Sequence, residues 1–188
     1  MIERETTKQL LAKSFIELSQ KQAVERITVD EITNNCGLSR QAFYYYFEAK
    51  YDLVSWIFSE MSNSILDSHI TKEPWGASLG RVLELISSER IFYRKVMEKR
   101  DSDLFFSSFY DYCVAYYTRQ LRELYQIETV DSELAFLIRF NCHGCTNITR
   151  DWLEGRIDAE SPHTVGMLLY EAMPQRLKAY FTFEPREI

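Results

Sequence analysis

Residues 39–47 combine polar and aromatic side chains at helical spacing. Projection at about 100° per residue places a cation, an amide and two phenols on one face of a helix, namely Arg40, Gln41, Tyr44 and Tyr45. The other face suits burial against a neighbouring helix and carries Ser39, Phe43, Tyr46 and Phe47. Groups of the first kind form hydrogen bonds with base edges and phosphates in a DNA major groove. We therefore predict a recognition helix, with Phe43 and Phe47 in the core.

A second short helix is predicted immediately before the first. Thr28 followed by Glu31 is a capping box, in which both side chains bond to backbone amides at the start of a helix. Gly37 can adopt the left-handed conformation that ends such a helix, and Ser39 can cap the next one. These signals predict two helices joined by a tight glycine turn, which is a helix-turn-helix.

Residues 5–58 resemble the N-terminal domain of the TetR family of bacterial transcriptional regulators. The family pattern is a helix, then T-x-x-x-I, then A-G-[LV]-S-x-x-x-[LF]-Y-x-[HY]-F-x-x-K-x-x-L. The residues that match it are Thr28, Ile32, Gly37, Leu38, Ser39, Phe43, Tyr44, Tyr46, Phe47, Lys50 and Leu53. Three positions differ from the usual residue: Cys36 stands for alanine, Ala42 for a hydroxyl residue and Tyr46 for the frequent histidine.

The resemblance implies a set of DNA-binding residues, namely Thr28, Ser39, Arg40, Gln41, Tyr44, Tyr45 and Lys50. The family role of Tyr44 and Lys50 is phosphate contact. The family role of the others on the recognition helix is contact with bases or nearby phosphates. The resemblance also implies a homodimer that binds double-stranded DNA at a palindromic operator. The last two long helices, residues 131–154 and 161–181, would form the dimer interface.

Composition indicates an all-α protein. The chain has 188 residues with only six Gly and four Pro, and it lacks sustained period-2 alternation bounded by turn residues. The net charge of -6 arises entirely beyond residue 50, because residues 1–50 carry seven basic and seven acidic residues. Local cations would therefore flank the recognition helix, namely Arg4, Lys8, Arg40 and Lys50. Four Cys and no apolar run of about 18 residues predict a reduced cytoplasmic protein with no membrane partner.

The chain is expected to form two domains. Residues 1–49 would be a three-helix DNA-binding domain, and residues 50–188 a larger helical domain for ligand binding and dimerisation. Beyond the helix-turn-helix, periodicity and caps predict helices over residues 50–70, 75–87, 89–99, 104–125, 131–154 and 161–181. Pro174 should kink the last of these near its middle. A first amphipathic helix is predicted over residues 5–20.

Residues 142–145, Cys-His-Gly-Cys, have two interpretations. The first is a metal or redox site. A metal site would need further ligands, but no second Cys/His pair stands at ligand spacing. A redox Cys-x-x-Cys requires a helix N-terminus, whereas this motif is predicted in mid-helix. The other interpretation is that these small side chains let two helices approach closely. We favour the second, and we expect no metal and no cofactor.

A ligand pocket is expected among the aromatic helices of the larger domain. The candidate lining residues combine rings with polar groups: Tyr93, Phe109, Tyr112, Tyr116 and Trp152. The effector is either a small molecule or a protein. Residues 90–97 and 39–58 are similar to the subgroup that regulates dihydroxyacetone kinase operons, and that similarity implies a protein effector and possible activation of transcription.

The leading functional hypothesis is a dimeric, sequence-specific transcriptional regulator controlled by an effector. The alternative is a helical interaction protein that regulates only through a protein partner. An enzyme is not expected, because the sequence has no nucleophile-base pair, no phosphate-binding glycine loop and no paired acid motif.

Overall fold

A computed structural model describes residues 5–69, 73–88, 102–159 and 161–182. These residues contain nine α-helices, a short 3-10 helix and no β-strand. The α-helices are α1 (Thr7–Lys21), α2 (Val29–Asn35), α3 (Arg40–Tyr46), α4 (Lys50–His69), α5 (Trp75–Ser88), α6 (Ser102–Tyr125), α7 (Ser132–Leu153), α8 (Pro162–Glu171) and α9 (Gln175–Lys178). The 3-10 helix, Val24–Arg26, lies between α1 and α2. The all-α prediction is confirmed.

The described residues divide into two compact units. The first contains residues 5–60 and 102–105, and the second contains residues 61–88 and the described residues from 106 onward. The predicted domain boundary at residues 49 and 50 concerns function as well as packing, and it stays a prediction. Among the residues described, no helix has the length and the apolar character needed to cross a membrane.

The first unit encloses a core formed by α1, α2, α3 and the first half of α4. Its most buried side chains are Leu11, Phe15, Val24, Ile27, Ile32, Phe43, Leu53, Val54 and Phe58. A polar contact ties α1 to α2, because the buried Ser14 hydroxyl donates to the Ile32 carbonyl at 2.7 Å. Thr6 begins α1 with a capping box, in which the Gln9 side chain accepts from the Thr6 amide at 2.8 Å. The three-helix arrangement predicted for this region is confirmed.

In the second unit, α5 packs along the length of α8. Trp75 is buried at the start of α5, where it stacks on Tyr116 with ring centroids 6.0 Å apart. Its indole nitrogen donates to the Tyr117 hydroxyl at 3.0 Å, so the one polar atom of the indole is bonded. Phe181 covers the indole from the C-terminal end of the described chain, at a centroid distance of 5.0 Å.

The last predicted helix is wrong in one respect. Residues 161–181 do not form one kinked helix, because α8 ends at Glu171 and Pro174 caps the separate four-residue helix α9. Proline has no amide hydrogen and its ring clashes with the preceding turn, so here it ends the helix rather than bending it. The helix predicted over residues 89–99 lies outside the described residues.

Candidate nucleic-acid interface

The turn between α2 and α3 has the geometry that its sequence predicts. Thr28 accepts from the Glu31 amide at 3.2 Å, and the Glu31 carboxylate accepts from the Thr28 amide at 2.7 Å. The hydrogen bond from the Thr28 amide to the Glu31 carboxylate is the main reason why the pKa of Glu31 lies below its ordinary value. Gly37 has a φ of 69°, and the Leu38 amide reaches back to the Thr33 carbonyl at 2.8 Å. These bonds end α2 and turn the chain into α3.

Helix α3 separates buried from exposed aromatic residues. Ser39 caps the helix by accepting from the Ala42 amide at 3.1 Å. Phe43 is fully buried and Phe47 nearly so, as predicted. Tyr44 is 47% exposed and Tyr45 81% exposed, so both rings lie on the solvent side of α3. The exposed face therefore presents the predicted polar set, and both Arg40 and Gln41 belong to it.

Arg40 occupies a fixed position on this face. Its Nη1 donates to both carboxylate oxygens of Asp30, each at 3.0 Å, and its Nη2 donates to the Tyr44 hydroxyl at 3.4 Å. The guanidinium carbon lies 5.5 Å from the centroid of the Tyr44 ring. The Tyr44 hydroxyl, followed by the Asp30 carboxylate, raises the pKa of Arg40, which therefore keeps its charge. Three side chains from two helices thus form one hydrogen-bonded group.

Lys50 lies at the start of α4 and is half-buried. Its ammonium donates to the carbonyl oxygens of Val24, Glu25 and Ile27 at 2.8, 2.9 and 3.1 Å. An ammonium has three donors, so these bonds match its capacity. The contacts connect α4 to the segment that precedes α2.

Tyr46 differs from its predicted position, because it is 40% exposed rather than buried. Its ring packs edge-on against Tyr45 at a centroid distance of 4.8 Å, at the end of α3 where the helix leaves the core. The Lys8 ammonium lies 5.8 Å from the Tyr46 ring, 5.7 Å from the Phe47 ring and 5.6 Å from the Trp56 ring. Lys8 thus packs on aromatic faces beside α3. Arg4 lies outside the described residues.

Three of the five predicted pocket residues line one cavity in the second unit. The cavity has a volume of about 40 Å³, and Phe109, Tyr112 and Tyr116 form part of its wall. Tyr112 and Tyr116 direct their hydroxyls to Asn63 and Asp67 of α4, at 3.0 and 3.1 Å. Trp152 does not line this cavity. Tyr93 lies outside the described residues.

The Cys-His-Gly-Cys segment lies inside α7. Cys142 and Cys145 are buried, and burial raises the pKa of both thiols, that of Cys145 to about 12. His143 points outward and stacks on Tyr110 at a centroid distance of 4.2 Å. A β-carbon on Gly144 would meet no atom within 4 Å, so this glycine does not mark a close helix contact within the described chain. No cluster of three metal-binding side chains occurs among the described residues.

One face of α7 is exposed and partly apolar. Phe136 is 66% exposed and Phe140 61% exposed, and their rings stack at a centroid distance of 6.5 Å. Leu134, Ile138 and Cys142 lie on the opposite, buried face, and Ile148, 37% exposed, lies at the edge between the two faces. Adjacent apolar rings on a surface are typical of an interface with another chain.

Two family models match separate parts of the chain, one near its start and one over its larger second part. Residues 16–56 match the family described as bacterial regulatory proteins, tetR family. Residues 73–174, more than half of the chain, match the C-terminal region of transcriptional regulators of the same type. The chain belongs to the TetR family of transcriptional regulators. It is a DNA-binding transcriptional regulator, and this family commonly acts as dimers under effector control and is generally not enzymatic.

Individual relatives agree with this family. The regulator is 26% identical over 146 residues to the HTH-type dhaKLM operon transcriptional activator DhaS of Lactococcus lactis subsp. lactis, covering 77% of this chain and 78% of that protein. A solved structure of a dihydroxyacetone kinase operon activator DhaS has a TM-score of 0.60 at 23% identity, covering 94% of this chain and 98% of that one. A TetR regulator from Rhodococcus sp. RHA1 has a TM-score of 0.63 at 13% identity, covering 92% and 99%. Both structures share the regulator's fold.

Two features of the regulator were missed by sequence reasoning. Asp30 was not among the predicted site residues, although its position on α2 brings it to Arg40. The two residues are ten positions apart on different helices, so the periodicity of one helix does not indicate their contact. A close helix contact that the sequence reasoning did not predict occurs where Gly166 of α8 meets Gly76 and Gly80 of α5. The spacing of Gly76 and Gly80, one turn apart on a predicted helix, was the available signal.

Proposed function

We propose that the regulator binds a palindromic operator as a homodimer, with α3 of each protomer in the major groove. The observation that carries the proposal is the exposed face of α3, where Arg40, Gln41, Tyr44 and Tyr45 lie on a rigid helix above a buried Phe43. Large phenol rings exposed in this way have a cost in water that contact with DNA would remove. Operators lie on bacterial DNA, so the regulator would act in the cytoplasm.

The polar residues divide into two roles. Arg40 and Gln41 lie in the first turn of α3, which is the part of a recognition helix that contacts base edges. Tyr44 accepts from Arg40, which leaves its hydroxyl hydrogen for a phosphate oxygen, and Tyr45 lies beside it. Thr28 and Ser39 cap α2 and α3, so their part is to present the amides at those helix starts to the DNA backbone.

Lys50 has a different role in this proposal from the phosphate contact that the family resemblance implies. Its ammonium donates to three carbonyl oxygens within the chain, at 2.8 to 3.1 Å. Moving it to a phosphate would leave those carbonyls without the cation. We therefore propose that Lys50 supports the helix-turn-helix by fixing the segment before α2 against α4.

The exposed face of α7 is the proposed dimer interface. Phe136 and Phe140 form an apolar strip on the helix that the family resemblance assigns to dimerisation. A two-fold axis would place each strip against its copy, which buries the four phenylalanine rings together. A homodimer would also carry two α3 helices, and a palindromic site requires them about one DNA turn apart, roughly 34–36 Å.

The effector is proposed to be a protein, and the regulated genes a dihydroxyacetone kinase operon. The operon comes from the names of the relatives. The protein effector is supported by the aromatic cavity, whose 40 Å³ is far below the roughly 300–1,000 Å³ of small-molecule sites. A second pocket, of about 310 Å³, lies at Glu73, Arg81 and His163, and none of the predicted aromatic residues that the structure describes lines it. The hydroxyls of the three tyrosines in the aromatic cavity are also already bonded: Tyr112 donates to Asn63, Tyr116 donates to Asp67, and Tyr117 accepts from Trp75.

Two measurements test these proposals. The first measures binding of purified variants to the selected operator. Gln41→Ala should change the preferred bases, whereas Tyr44→Phe should lose affinity evenly across sequences. Identical behaviour of the two variants contradicts the assigned roles. Addition of dihydroxyacetone alone should alter neither the operator Kd nor the Tm of the regulator. A shift in either quantity contradicts a protein effector.

A further inference from the structure

Asp30 and Arg40 link the two helices of the helix-turn-helix through charged side chains. Asp30 lies in the first turn of α2, and Arg40 is the first residue of α3. The Asp30 carboxylate receives both of its bonds from Nη1 of Arg40, and Nη2 donates one bond to Tyr44. Nε–H and the second hydrogen of Nη2 form the other edge of the guanidinium, and a paired edge of this kind can donate two bonds to guanine O6 and N7.

The positions of the two charges explain why the contact persists. A carboxylate is favoured at the N-terminus of α2, where the helix dipole is positive. A cation at the N-terminus of α3 is disfavoured for the same reason, and Asp30 offsets that repulsion. Both side chains are more than half exposed, at 57% and 61%, so the pair contributes little to folding stability.

An exposed contact that does little for stability still restricts a long side chain. Free arginine samples many rotamers and loses that freedom when it binds. Asp30 and Tyr44 hold the guanidinium from two directions, so Arg40 has already lost most of its rotamer freedom before it binds DNA. The carboxylate itself repels phosphates, so it adds no general affinity for DNA.

We propose that Asp30 is a positioning residue that sets base specificity through Arg40. The inference rests on the proposed function, in which Arg40 contacts a base. Asp30 fixes which edge of Arg40 faces the groove, and therefore which base pair the regulator prefers at that position. Loss of Asp30 would free Arg40 to reach other bases or a phosphate.

The test compares variants on the operator selected by the wild-type regulator and on its single-base-pair substitutions. Arg40→Ala should lose about tenfold or more of discrimination at one or two base pairs. Asp30→Asn, which keeps the shape and removes the charge, should lose about three- to tenfold at the same base pairs while total affinity for non-operator DNA rises. In the Arg40→Ala background, Asp30→Asn should have no effect on preference. Glu48→Gln, which removes a charge beyond the other end of α3, is the matched control and should leave preference unchanged.

Several results would overturn the inference. Unchanged discrimination between base pairs in Asp30→Asn would overturn it. An equal gain of affinity for all sequences would also overturn it, because Asp30 would then act only as a charge. An effect that survives in the Arg40→Ala background would show that Asp30 acts without Arg40. Tm values establish that each variant is folded, and Asp30→Ala repeats the test if Asp30→Asn is not. A wild-type regulator that selects no site would overturn the proposed function itself, whereas selection with an unaffected Asp30→Asn overturns this inference alone.

Discussion

The Lys50 ammonium donates to the Val24 carbonyl oxygen at 2.8 Å, across 26 residues of sequence. Two further carbonyls, those of Glu25 and Ile27, complete its three bonds. The contact joins the start of α4 to the 3-10 helix that precedes α2. A residue expected at the DNA surface is therefore engaged with the protein backbone.

Replacing Lys50 with Met should lower the free energy of unfolding by about 1–3 kcal/mol, because three carbonyls lose their cation while the apolar stem remains. The variant should keep the wild-type dependence of operator affinity on salt. Urea denaturation gives the first quantity, and affinity titrations at several salt concentrations give the second. Arg40→Ala is the comparison for a DNA contact. A fall of about 0.9 in the salt slope of Lys50→Met, with unchanged stability, would instead establish a phosphate contact.

The glycines of α5 and α8 give a prediction on packing. A β-carbon on Gly166 would lie 2.6 Å from the Gly76 carbonyl oxygen and closer still to the Gly80 nitrogen, so the backbones must separate. Gly166→Ala should destabilise the protein by about 1–3 kcal/mol through overpacking. The matched control is Gly144→Ala in α7, where a β-carbon meets no atom within 4 Å, and the gain in helix propensity should leave stability equal or higher. Equal melting temperatures for both variants would show that the α5–α8 contact is looser than the structure indicates.

The proposed dimer interface can be broken at one residue. Phe140→Glu places a charge at the centre of the apolar face of α7, where a symmetric interface would bring two such charges together. The variant should be a folded monomer at micromolar concentration and should lose operator binding. Light scattering measures the mass, and Ala115→Glu, at an exposed position on α6, is the control that should remain a dimer. A dimeric Phe140→Glu would place the interface elsewhere.

The buried thiols should be unreactive in the native state. Cys142 and Cys145 have raised pKa values, that of Cys145 about 12, so almost none of either thiol is ionised at pH 8. Alkylation should label them slowly until urea unfolds the chain, and chelators or mild oxidants should not change operator affinity. Rapid labelling with loss of binding would favour the redox interpretation of the Cys-His-Gly-Cys segment.

Local signals in the sequence were sufficient for the helix-turn-helix. The Thr28 and Glu31 capping box, the positive φ of Gly37 and the Ser39 cap each depend on residues within four positions, and all occur as predicted. Tyr46 was placed on the wrong face because projection treats every residue of a helix alike, whereas the last turn of α3 leaves the core.

Long-range contacts were beyond the reach of such signals. The bonds of Lys50 to Val24 and of Arg40 to Asp30 join residues whose proximity depends on how helices pack. The cavity shows the same limit, since aromatic composition indicated Phe109, Tyr112 and Tyr116 as candidates for a pocket but gave no measure of the space between them. Pro174 ended a helix, whereas a kink was predicted. A proline can do either, and the sequence does not distinguish the two.

Autonomous DNA recognition by α3 can be measured by selecting bound DNA from a random pool at physiological salt, with the purified regulator alone. We expect enrichment of a palindrome whose half-site centres are about one helical turn apart or slightly more, and loss of that enrichment in Phe140→Glu. Enrichment of no sequence by a folded, dimeric protein would contradict autonomous DNA recognition by α3 and would favour regulation through a protein partner.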